Sequence, residues 1–310
     1  MAYHTDLNRL AAPSALSVLL LAMSSAYAAD NKALDLNEMV ITASGYEQQL
    51  IDAPASITVI GKDQLEGKYY RDVTDALQDI PGVSIEGGAG GKLETTSVNI
   101  RGLGENYTLF LVNGKPLGAS SEAYYNGFSG GAQVGWLPPL VAIERIEVIR
   151  GPMSSLYGSS ALAGVINIIT KQDTPQEWSG RISHDRLFQH DQHAGNSNQT
   201  SYFLSGPLAT ERLAMSVFGS YYHRDEDRIA NGYADKSSFD NTLQLDLNVN
   251  ESNKLQFAVG QAKHTNERTE KSGTPMDMDN ERNHYGITHD WLWGERAQTT
   301  SYVTHEKVDI

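Results

Sequence analysis

The sequence predicts a small α/β domain followed by an antiparallel run of membrane-spanning β-strands. Three observations carry this. The chain opens with an export signal and contains no cysteine. No later apolar run approaches the roughly 20 residues of a spanning helix, and the mean hydropathy of −0.40 is too polar for a helical membrane protein. Near Lys171 the hydrophobic period changes from mixed helical and strand patterns to strict alternation. Any membrane role therefore falls to strands.

The export signal is residues 1–28. Arg9 and the free amino terminus precede an apolar core from Ala15 to Met23, and Ala26-Tyr27-Ala28 supplies the small-residue cleavage pattern, so the mature chain starts near Ala29. An exported chain without cysteine is held by packing and sheet hydrogen bonds, the habit of a bacterial envelope protein. With 24 Lys and Arg against 38 Asp and Glu the net charge is −14, which repels a phosphate backbone and argues against a nucleic-acid partner.

Residues 29–45 form a polar lead ending in the β-prone run Glu38-Met39-Val40-Ile41-Thr42-Ala43. Residues 46–171 read as the α/β domain. Asp52 to Ile60 is a strand. Asp72 caps a helix whose Val73, Ala76, Leu77 and Ile80 share one face, and Pro81-Gly82 ends it. Gly82 to Ser97 is expected to be an exposed glycine-rich loop. A strand over Val98 to Arg101 follows, then a hairpin turning at Asn113-Gly114. A second soft loop, Gly118 to Gly135, carries Tyr124, Tyr125 and Phe128, and Pro138-Pro139 mark a helical start.

The stretch from Ile143 to Lys171 sets two apolar runs around Gly, Ser, Ala and one Pro. Between Gly158 and Gly164 there is no Gly-Lys-Ser/Thr, and the spacing fits neither phosphate-binding fingerprint, so a nucleotide-binding enzyme is disfavoured against close backbone packing. The nine histidines lack ligand spacing and so argue for neither a metal site nor haem capture, and no cofactor is expected. Asp277 to Glu281 lacks the glycine of a calcium loop and reads as a wet external loop.

Residues 172–310 hold about six segments of the ~9–11 residues that a tilted spanning strand needs. In one of them Leu243, Leu245, Leu247 and Val249 alternate with Gln244, Asp246 and Asn248. Leu255, Phe257 and Val259 resume the pattern, and Tyr285, Ile287, Trp291 and Trp293 share a side. Alternation alone fits both a barrel in lipid and a soluble sheet with one wet face; the signal, the missing cysteines and the aromatic segment end favour the barrel. A soluble periplasmic or secreted binding protein is the competing class.

Taken in order, "EMVITAS", "DAPASITVI", "LQDIPGV", "VNIRGL", "YTLFLVNGKPL" and the whole of Ile143 to Lys171 resemble the TonB-dependent outer-membrane receptors, most closely the colicin I receptor type of catecholate siderophore transporter. The resemblance implies a plug domain inside a β-barrel in the outer membrane of a Gram-negative bacterium, importing a ferric siderophore with energy from TonB; colicin binding, or cobalamin or haem as the ligand, are alternatives. It implies that Glu38, Met39, Val40, Ile41, Thr42 and Ala43 are the TonB box, and that Arg101 and Arg150 latch the plug to barrel glutamates. It also makes the two glycine-rich loops the plug's outward surfaces, where Lys92 would meet an anionic chelate. Tyr124, Tyr125 and Phe128 either stack on a flat ligand or hold their loop together. The second loop departs from an anion site in having no Lys or Arg and in including Glu122. A receptor and transporter, not an enzyme, is expected, with lipid, TonB and an iron-siderophore as partners. Six strands cannot close, so the chain is expected to be the N-terminal part of a longer receptor, or a truncated product that transports nothing.

Overall fold

The computed structural model describes residues 39–40, 48–49, 56–87, 96–117, 134–172, 177–208, 212–294 and 297–309. Met39–Val40 (β1) pairs antiparallel with Gln48–Gln49 (β2). Ile57–Ile60 (β3) leads to a short helix, Lys62–Gly67 (α1), and to Val73–Gln78 (α2). Asp72 caps α2 as its residue type predicts, its carboxylate accepting from the backbone N–H groups of Thr74 and Asp75. Burial and the Arg71 charge oppose each other at Asp72. Together with these hydrogen bonds, Arg71 wins and holds the carboxyl below its ordinary value.

Half of the expected loop from Gly82 to Ser97 is a hairpin. Val83–Gly87 (β4) pairs with Thr96–Ile100 (β5), because Val83 and Ile85 alternate in step with Val98 and Ile100; residues 88–95 lie outside the described ones. Arg101 is not strand but a left-handed turn residue, φ 52°.

Thr108–Val112 (β6) and Lys115–Pro116 (β7) form the hairpin at Asn113-Gly114, whose φ values of 52° and 74° are those of a tight turn that favours this pair. Ile143–Arg150 (β8), one helical turn at Ser154–Tyr157 (α3) and Gly164–Thr170 (β9) complete the domain. The sheet order is β3-β8-β9-β6-β7, with β6 and β9 parallel. Val73, Ala76, Leu77 and Ile80 pack on one face, against Ile146, Val148, Ile166 and Ile168. Leu111, Ile149 and Val165 pack on the other with Ala161 and Tyr157. Burial, with the Glu147 charge nearby, pushes the Tyr157 hydroxyl up to about 12.

The glycine that opens β9 is explained by this sheet. A Cβ on Gly164 would lie 2.1 Å from the carbonyl oxygen of Ile149, which faces it across the β8–β9 ladder. The close approach is to the domain's own sheet.

The remaining strands number seven rather than about six: Ser179–Leu187 (β10), Ser197–Pro207 (β11), Leu213–Arg224 (β12), Asp235–Asn250 (β13), Asn253–Arg268 (β14), Met276–Leu292 (β15) and Gln298–Asp309 (β16). All pair with their sequence neighbours, antiparallel. Asp277 to Glu281 belongs to β15 and not to a loop, since β14 offers a partner in register as far as Met276. The shorter connections, between β11 and β12, β13 and β14, and β15 and β16, lie at one rim. Longer loops at 188–196, 225–234 and 269–275 form the other.

Candidate functional site

The seven-stranded wall buries its polar side. Thr242, Gln244 and Asp246 are buried while Leu243, Leu245 and Leu247 are only half-buried and Val249 is exposed. Gln256, Asn266, Asn280, Arg282 and Thr288 continue the buried polar face, and Phe257, Val259, Tyr285, Ile287, Trp291 and Trp293 lie outside, exposed. A soluble sheet with one wet face does the reverse, because burying apolar area is what drives it to pack. Polar inside and apolar outside is the arrangement of a transmembrane barrel, whose outer face is solvated by lipid. Trp291 and Trp293 stack at 3.7 Å near the short-turn rim, where an aromatic girdle belongs.

The buried polar face meets the α/β domain. Lys115, on the β6–β7 hairpin, reaches across to Thr288 Oγ1 (2.7 Å) and Gln256 Oε1 (3.3 Å). Burial lowers its pKa, with Asp290 and Asp246 acting against that effect. Gln256 and Gln244 both donate to Asp246, and Lys254 pairs with Asp246 at 3.3 Å while holding the carbonyl of Gln172. Arg181 pairs with Glu66 at 2.9 Å, and Gln199 donates to the carbonyl of Arg71. Higher on the wall Trp136 meets His264 edge-on at 4.3 Å, and Arg282 lies beside Trp136 and pairs with Glu306 at 2.6 Å. The apolar contact between the two is a small cluster of Val141, Ala142, Phe203 and Phe218. A cavity of about 130 Å³ remains between Lys115, Trp136, Gln256, Arg282 and His284. The domain is thus seated mainly by polar and long-side-chain contacts, each worth on the order of 1 kcal/mol net.

Of the residues singled out from sequence, Met39 and Val40 are paired as β1, and Glu38, Ile41, Thr42 and Ala43 lie outside the described residues. Lys92, Tyr124, Tyr125 and Phe128 also lie outside them. Arg150 is held within its own domain, its guanidinium donating to the carbonyl of Pro81 (2.6 Å) and to the hydroxyls of Ser56 (3.1 Å) and Thr58 (2.9 Å). Arg101 is exposed and reaches toward Gly151, next to Arg150, so the structure brings the two arginines to one place. Among the described residues no carboxylate pairs with either.

Sequence reasoning did not single out Lys115, Asp246, Gln256 or Thr288: the wall register aligns the last three, and the plug hairpin brings Lys115, inside the quoted "YTLFLVNGKPL", against Gln256 and Thr288. It also missed three joined outer loops. Glu226 accepts from the backbone N–H of Thr269 (2.7 Å), its hydroxyl (2.7 Å) and the hydroxyl of Ser272 (2.6 Å). Asp227 accepts from Gly195 N (2.8 Å), Tyr233 N (2.9 Å) and Arg224 Nη2 (2.5 Å).

A polar-faced barrel wall wrapped on an α/β domain defines the class: an outer-membrane β-barrel with a domain lodged against its inner face. The family model described as the TonB-dependent receptor plug domain matches residues 49–165. The chain is 44% identical over 306 residues to the iron-regulated outer membrane virulence protein of Vibrio cholerae serotype O1, a match covering 95% of this chain and 46% of that protein. It is 34% identical over 190 residues to the ferrienterobactin receptor of Escherichia coli K12, covering 59% and 24%. Among solved structures the siderophore receptor PirA of Acinetobacter baumannii superposes with a TM-score of 0.69 at 27% identity, covering 81% of this chain and 40% of that one. The chain belongs to the TonB-dependent receptors and comprises a plug domain and a seven-stranded antiparallel wall among the described residues. It spans about half the length of the Vibrio cholerae relative it matches.

Proposed function

We propose that the receptor containing this chain imports a ferric siderophore, of the catecholate type, across the outer membrane of a Gram-negative bacterium, and that it is a transporter and not an enzyme. The observation that carries this is the inverted burial of the wall, polar against the plug and apolar outward. It supports a lipid-solvated barrel whose lumen is closed by a domain seated on hydrogen bonds and ion pairs. Such a seat can be rearranged at modest cost, because water replaces each polar partner. The siderophore receptors among the relatives support the ligand class, and the enterobactin receptor supports a catecholate.

In this reading residues 38–43 recruit TonB by adding a strand to its sheet, main-chain hydrogen bonds supplying most of the affinity. The extended pairing of Met39 and Val40 with Gln48 and Gln49 supports this reading. Arg101 and Arg150 act as the latch, Arg150 fixed by Pro81, Ser56 and Thr58 and Arg101 left open to a barrel carboxylate. Lys92, Tyr124, Tyr125 and Phe128 contact the ligand.

Ile41→Pro in the full-length receptor tests the coupling, since proline removes a backbone donor from a segment that must pair. Ferric enterobactin binding at the cell surface is expected to survive while uptake fails. Loss of both, or of neither, contradicts the assignment.

A further inference from the structure

The three long loops lie on the rim opposite the short turns, which in outer-membrane barrels is the outer one. Two adjacent carboxylates join all three. Glu226, in the loop between β12 and β13, accepts three hydrogen bonds from the loop between β14 and β15, and the Ser272 hydroxyl it binds belongs to a residue with 0% exposure. Asp227 turns the other way, to Gly195 in the loop between β10 and β11, while Arg224 neutralises it at 2.5 Å; Asp227 and Arg224 are 5% and 4% exposed. Main-chain bonds reinforce this second junction: Asp225 N to Asn196 O (2.9 Å) and Arg228 N to His193 O (2.7 Å). An external loop with no function beyond closing a turn does not need a buried ion pair, because its polar groups are satisfied by water.

We infer that Glu226 and Asp227 are positioning residues that bind the three outer loops into one rigid rim at the mouth through which ligand enters. This rests on the transporter reading above. A loop already fixed in its bound shape loses less conformational entropy when ligand arrives, so a rigid rim raises affinity without itself touching the ligand. Both oxygens of each carboxylate already accept hydrogen bonds within the rim, those of Glu226 from Thr269 and Ser272 and those of Asp227 from Gly195, Arg224 and Tyr233.

The test uses the full-length receptor in lipid vesicles, with backbone hydrogen exchange as one readout and ferric enterobactin affinity as the other. Glu226→Ala removes all three bonds and Glu226→Gln keeps an acceptor, so exchange at 269–273 is expected to quicken at least about tenfold in the first and less in the second. Affinity is expected to fall in the same order, with heat-modifiability on a gel unchanged; a merely structural role would alter the gel pattern and not the graded affinity. Asp225→Asn serves as the control, since that side chain is 62% exposed and joins no loop to another. Unaltered exchange at 269–273 in Glu226→Ala overturns the joint. Faster exchange with unchanged affinity overturns its role in binding. A wild-type receptor that binds no ferric enterobactin removes the ligand reading, and the exchange result then decides the joint alone.

Discussion

Gly164→Ala is expected to open the plug's central ladder. The added Cβ would stand 2.1 Å from the Ile149 carbonyl oxygen and 2.9 Å from Ile100 Cδ1. The Ile100 methyl can rotate aside, but the carbonyl is backbone in a strand buried on both faces. Reaching an ordinary contact near 3.4 Å requires β8 and β9 to part by about 1.3 Å where Arg150 pairs with Gly164. Overpacking of this kind costs about 1–3 kcal/mol, and one or two stretched ladder bonds add about 1 kcal/mol, for a total of about 2–4 kcal/mol. In hydrogen exchange each 1.4 kcal/mol is tenfold, so the amides of β8 and β9 should exchange about 30- to 700-fold faster. Gly67→Ala, where a Cβ meets nothing within 4 Å, is the matched control and should be neutral or slightly stabilising. Equal exchange in Gly164→Ala and wild type would refute the close-approach account of this segment.

Val259→Arg places a charge on the exposed apolar face. In a bilayer it should cost about 2–4 kcal/mol near the midplane, measured by folding into lipid vesicles, whereas a water-facing sheet would tolerate it within about 0.5 kcal/mol. Asp72→Ala removes the α2 cap and should lower plug stability by about 1 kcal/mol in urea titration, with Arg71 losing its partner as well. Acid should loosen the outer rim. Hydrogen bonds from Ser272 and Thr269 outweigh burial at Glu226, and those from Gly195, Tyr233 and Arg224 outweigh it at Asp227, so both folded pKa values are lowered. Their contribution is therefore present above the ordinary carboxylate range near pH 4 and lost as pH falls below it. Exchange at residues 195, 233 and 269, corrected for intrinsic pH dependence, should quicken only in that window.

How much of this was legible in the sequence depends on the element. The α2 helix declared itself by Asp72 and four apolar residues on one face, and the Asn113-Gly114 turn by its dipeptide. The α1 helix did not, since Leu65 is its one buried residue and Gly61 caps it with no side chain. The β4–β5 pair hid inside a glycine-rich stretch, because Gly87-Gly88 and Gly90-Gly91 read as loop while the alternation of Val83 and Ile85 with Val98 and Ile100 is short. In the wall, Leu243 to Val249 showed period 2, yet alternation is blind to which side is buried, and that choice came from the plug, whose Lys115 meets the same polar face at Gln256 and Thr288. The seat itself was unreadable. Lys115 meets Gln256 and Thr288 only because a hairpin of the plug comes to lie against β14 and β15, more than 140 residues later in the chain. Arg101 and Arg150 stood out through their Arg-Gly pairs, but the partners that fix Arg150, a proline carbonyl and two hydroxyls, carry no motif.

The central claim is that the apolar side of the wall is solvated by lipid and the polar side by the plug. The chain has no native cysteine, so single cysteines at positions 243 to 247 can each carry a unique spin label. Collision rates with oxygen, which concentrates in lipid, and with a water-soluble nickel complex are then measured in bilayers. The account predicts high oxygen and low nickel accessibility at 243, 245 and 247, and low accessibility to both at 244 and 246. High nickel accessibility at 243, 245 and 247 would place that face in water and contradict it.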